Sequence, residues 1–167
     1  MANWVSNRWD ILGTEAELDA FERLLLPPPP RPGFLDRLRG RVPPPPLAPN
    51  FDRVLPSPPD LPRDSRALAD WRLDHWGISR LPEAGRYERA PGRARLDFAT
   101  AWSHPTGLVA ALASRLPPGL VVDGAYVEPG NEYAGRFRLA GGFCEDRELP
   151  FTAAFYEEVT GQPLDDE

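Results

Sequence analysis

An apolar alternation at the N-terminus, helices announced by caps and apolar stripes, and a hairpin turning on Pro-Gly-Asn together predict an α+β domain. In chain order the segments predict a ferredoxin-like βαββαβ sandwich, two helices packed on one face of an antiparallel sheet. Added to it are a proline-rich insert, an extra C-terminal β-hairpin strand and a short helix.

Residues 3–12 open the fold as a strand, because Val5, Trp9 and Ile11 fall on one face with Asn7 between them. Gly13 ends it. Thr14 and Glu17, three apart, form a capping box whose two side chains satisfy amides at the helix start. Leu18, Phe21, Leu24 and Leu25 follow at helical spacing, and the prolines from Pro27 stop the helix. The stretch 27–49 holds two four-proline runs, which favour a stiff, extended connection over the surface. Phe51 to Leu55 reads as a short second strand. The insert 56–92 reads as irregular except for a helix near 64–76, with Leu68, Trp71 and His75 on one face. Leu96 and Phe98 alternate with Asp97 and Ala99 in a strand over 94–101. A helix then starts at Ser103 or His104, with Pro105 in a first turn that needs no amide there. Segments 120–128 and 132–140 pair around Pro129-Gly130-Asn131, and Phe151, Phe155 and Val159 line a last helix closed by Gly161. These elements divide the chain into a domain over 1–142 and an acidic helix and tail over 143–167.

The 167 residues are enough for one core without staples, and Cys144 is the only cysteine, which fits a reducing compartment. The opening Met1-Ala2-Asn3-Trp4 lacks the basic-then-apolar order of a signal peptide, and no apolar run reaches membrane-spanning length. A cytoplasmic protein without membrane contact is expected. All 19 basic residues are arginine and 22 residues are proline, a bias that GC-rich coding explains. The net charge of −6 hides an asymmetry: 31–95 carry 13 arginines against eight acids, whereas 145–167 carry eight acids against Arg147 alone.

Chemistry finds little support. His75, His104 and Cys144 have no ligand-pair spacing, so neither metal nor cofactor is expected. Only Asp74, His75, Asp97 and His104, if the fold gathered them, would make a metal-dependent hydrolase. Ser103 and His104 are adjacent, which turns their side chains apart where a triad needs them to converge. No nucleophile elbow or phosphate-binding glycine loop occurs. Arginines from Arg53 to Arg95, near Trp71, Trp76 and Tyr87, offer a nucleic-acid-binding patch as an alternative. A charge of −6 is too small for a DNA mimic. Trp4, Trp9 and Trp102 stand on strands or their ends, where packing against helices is the expected role. Trp71 and Trp76 stand in the insert, so Trp71, Arg72, Asp74, His75 and Trp76, with Trp102 and His104 at its junction, form the expected recognition surface.

Several of these segments resemble one family. Met-Ala-Asn-Trp-Val-Ser-Asn at 1–7, Phe51-Asp-Arg-Val-Leu-Pro-Ser-Pro, Trp76-Gly77, Phe98-Ala-Thr-Ala-Trp-Ser and Glu128-Pro-Gly before Tyr133-Ala-Gly135 resemble the YubB-like plasmid and phage proteins. The resemblance implies a ferredoxin-like domain of unknown function, and it brings no catalytic residue. Val5 stands where that family has cysteine, so a packing role there survives and a catalytic one does not. Stretches 27–49 and beyond 142 take no part in it. Together the residues and the resemblance lead us to expect a non-enzymatic binding protein of phage or plasmid type with a protein partner, one that interferes with a host defence or replication protein.

Overall fold

The computed structural model describes residues 3–28 and 47–164. Its strands are β1 (Trp4–Leu12), β2 (Glu83–Ala90), β3 (Arg93–Ala101), β4 (Val121–Glu128), β5 (Tyr133–Ala140) and β6 (Phe143–Glu148). They form one antiparallel sheet in the order β2-β3-β1-β4-β5-β6. Its helices are α1 (Glu15–Leu25), α2 (Arg66–Trp76), α3 (Thr106–Ala113) and α4 (Ala153–Thr160). The fold is therefore α+β.

Local chemistry sets the boundaries. Thr14 caps α1 with both arms of the box in place: its hydroxyl accepts from Glu17 N, and Glu17 accepts from Thr14 N at 2.8 Å. Ser65 and Thr152 cap α2 and α4 with one arm only, each hydroxyl accepting from the amide three residues on, and left-handed Gly77 and Gly161 end them. The alternation of β1 sends Val5, Trp9 and Ile11 to the core with no exposed surface, and Asn7 goes with them. Leu18 and Phe21 of α1, Leu108 and Leu112 of α3, and Trp76 of α2 close over that face. Trp9 stands edge-on to Phe98 and Phe137, at 5.1 and 5.4 Å between centroids. On the other face Val159 of α4 packs on Ala125, Val127 and Ala134, forming a second, smaller cluster.

Four expectations change. Phe51–Arg53 is a short 3-10 helix, not a strand; Phe51 is buried edge-on to Trp76 and Phe98. The insert 56–92 contains β2 as well as α2, so it is not irregular. Residues 143–148 continue the sheet as β6, pairing from Ala140↔Phe143 to Gly135↔Glu148, so a boundary at 142 would cut a hydrogen-bonded pair. Both missed strands are sheet edges with charged residues on both faces, which hides the period of two. Trp4 and Trp102 do not pack the core: they are 38% and 55% exposed. Most of the proline-rich stretch 27–49 lies outside the described residues.

Candidate functional site

The expected surface on α2 divides by helical phase. Trp76 has no exposed surface; its indole N–H donates to Leu55 O at 2.9 Å and its ring meets Phe51. It anchors the insert to the core and is out of reach of a partner, which corrects its assignment to a recognition surface. The Arg72 guanidinium lies over that same ring, 5.1 Å from its centroid. Trp71 is half-buried and stacks on exposed His75 at 4.2 Å, and His75 Nδ1–H donates to Trp71 O at 2.8 Å. Asp74 is exposed.

The segment between β3 and α3 carries the other two expected residues, and it sends them in opposite directions. Trp102 has a left-handed backbone, φ 72°, which a side-chain-bearing residue rarely adopts. Its amide donates to Asn3 O at 2.8 Å, and this bond ties it to the start of β1. Its indole points outward at the sheet end that also bears Trp4, whose register partner is Ala101. Two residues later, His104 is wholly buried. Its ring lies flat on Tyr126 at 3.8 Å, and its Nε2–H donates to Asp146 Oδ2 at 2.7 Å. The Tyr126 hydroxyl donates to the other oxygen, Oδ1, at 3.1 Å. Gly135, the cross-strand partner of Tyr126, allows this: a Cβ there would stand 2.1 Å from the phenol oxygen.

Electrostatics keep this network neutral apart from its carboxylate. Burial pushes the His104 imidazole below its ordinary value, outweighing the pull of Asp146 the other way. Burial likewise raises the Tyr126 hydroxyl, with Tyr133 and Asp146 adding to it. The Ser103 hydroxyl donates to His104 O at 3.0 Å rather than to the ring. With no exposed surface, the imidazole presents neither nitrogen to the solvent-facing surface of the protein. The network acts as a latch between the 102–105 segment and edge strand β6. Asp146, Tyr126 and Gly135 were missed from sequence because Asp146 meets His104 only through the register of β6.

The four residues of the hydrolase alternative do not gather. Asp97 faces the other side of the sheet, bonded to Arg8 Nε at 2.9 Å, while His75 is exposed on α2 and His104 is buried against Asp146. Among the described residues no group of three His, Cys, Asp or Glu could hold a metal ion. Part of the arginine patch is tied up within the chain. Arg89 bonds Glu15, Asp19 and Glu22 at 2.6, 2.7 and 2.8 Å. Arg95 bonds Asp10 at 2.7 Å, Arg86 pairs with Glu88, and Arg53 caps α1 through Leu26 O at 3.0 Å.

No family model matches this chain, and no curated protein matches it in sequence. Among solved structures it is similar to the crystal structure of a protein api92 from Yersinia pseudotuberculosis, assigned to the family DUF1281. The TM-score is 0.58 at 12% identity, over 89% of this chain and 98% of that one. At that identity the likeness is one of fold. No helix among the described residues is long and apolar enough to cross a membrane.

Proposed function

We propose that this chain is a non-enzymatic binding module of phage or plasmid type, built on a ferredoxin-like core, and that Trp102 is the centre of its recognition surface. The observation that carries the reading is the backbone of Trp102. A left-handed tryptophan costs about 1–2 kcal/mol, and here the residue that holds this conformation is exposed to solvent. Strain held at an exposed aromatic suits recognition, since tryptophan is enriched where binding energy concentrates. The strand order β2-β3-β1-β4, with α1 and α3 in the crossovers, supports the ferredoxin-like core. The resemblance to YubB-like proteins supports the phage or plasmid type, the cytoplasmic location and a host defence or replication protein as the partner.

Ion pairing of Arg86, Arg89 and Arg95 takes these three out of the arginine patch that would meet phosphate, since arginines already paired release fewer counterions. The test compares wild type with Trp102→Ala in capture from host extract. The reading expects a protein retained by wild type and lost at least about tenfold by the variant, the loss a hot-spot side chain of ~1.4 kcal/mol or more produces. Equal capture by both, or salt-sensitive retention on DNA or RNA instead, would overturn it.

A further inference from the structure

Three buried polar atoms on the core face have no hydrogen-bond partner among the described residues: the indole Nε1 of Trp9, the amide Oδ1 of Asn7 and Nδ1 of His104. They belong to one patch. Asn7 and Trp9 are neighbours on the inward face of β1, and Tyr126, the cross-strand partner of Asn7, carries the His104 ring at 3.8 Å. Phe137 joins the remaining side, with Trp9 edge-on at 5.4 Å and His104 parallel at 5.9 Å.

Their hydrogen-bonding roles are fixed by the bonds their other atoms make. The Asn7 amide nitrogen donates to Val5 O at 3.0 Å and to Thr100 Oγ1 at 2.9 Å, which leaves Oδ1 as an acceptor only. Asp146 Oδ2 accepts from His104 Nε2–H, and in the imidazole that burial keeps neutral this leaves a lone pair on Nδ1. The Trp9 indole can only donate. One donor and two acceptors thus lie on the same side of the sheet, linked through the Tyr126 and Phe137 rings. A cation would be repelled by the N–H and an anion by the two acceptors, whereas a water molecule accepts one bond and donates two.

The geometry points to an internal water-binding site formed by Trp9, Asn7 and His104, with the bound water accepting from the indole and donating to Asn7 Oδ1 and His104 Nδ1. Such waters fill buried sites that offer two to four polar partners. This one would connect β1 to the latch that holds the Trp102 segment, and the inference stands whatever Trp102 binds.

A high-resolution crystal structure of the full chain tests it. A density peak within about 3.2 Å of at least two of the three atoms is expected. No peak, or a direct contact between Asn7 Oδ1 and His104 Nδ1, would overturn the site. A long-range proton–nitrogen spectrum near neutral pH supplies a second reading. It should show His104 protonated on Nε2 and bare on Nδ1; the reverse tautomer contradicts the assignment of donors and acceptors.

Discussion

Replacing Trp102 by glycine and, separately, by alanine isolates the strain at this position. Both variants remove the same indole, so its lost contacts cancel in the difference. At an ordinary position the alanine form is the more stable by about 0.5–1 kcal/mol, because glycine has more freedom to lose on folding. At φ 72° alanine retains the left-handed penalty of ~1–2 kcal/mol, which glycine escapes. Subtracting glycine's entropic cost of about 0.4–1 kcal/mol leaves Trp102→Gly the more stable by roughly 0.8 kcal/mol, within a span of about 0–1.6 kcal/mol. For a chain of this size that is about 1–4 °C in Tm. Urea unfolding and a thermal melt of the two variants side by side give the sign. An alanine variant as stable as the glycine variant, or more so, would refute the claim that the fold holds Trp102 under strain.

Trp76→Ala is expected to lower stability by about 3–5 kcal/mol in urea unfolding, since it empties a fully buried site and leaves Leu55 O without its donor. Stability should also fall with acid through His104. Its folded value lies below the ordinary 6.5, so the unfolded chain takes up a proton that the native state resists. The neutral imidazole's contribution is complete above 6.5 and declines as pH drops toward the folded value. The pH slope of unfolding should flatten in His104→Phe. Arg89→Ala should lower Tm most at low salt, because it leaves Glu15, Asp19 and Glu22 facing one another; a loss that persists undiminished in high salt would assign the residue to packing instead.

The interior strands were legible because burial on one face writes a period of two: Val5, Trp9 and Ile11 identify β1 without any structure. The caps were legible for a similar reason, since Thr14 with Glu17 is a local device whose geometry is set within one turn. Edge strands escape such reading. β2 carries Glu83, Arg86, Glu88 and Arg89, and β6 carries Glu145, Asp146, Arg147 and Glu148, so neither face is marked apolar. Missing β6 also hid Asp146, and with it the reason His104 is buried. On α2 the stripe of Leu68, Trp71 and His75 pointed one way, yet Leu68 and Trp76 are the buried pair, eight residues apart. Phe51 decided that phase, and its own short 3-10 helix leaves no periodic trace. The exposure of Trp102 depends on a backbone angle, which sequence pattern does not encode.

Photo-cross-linking from position 102 tests recognition through this indole most directly. A photoreactive tryptophan analogue at 102, which keeps the indole, should yield one protein adduct in host extract, and a photoreactive residue at exposed Leu73 or His75 of α2 should not give that adduct. Nucleic acid cross-linked from 102, or the same adduct formed equally well from α2, would contradict a recognition surface centred on Trp102.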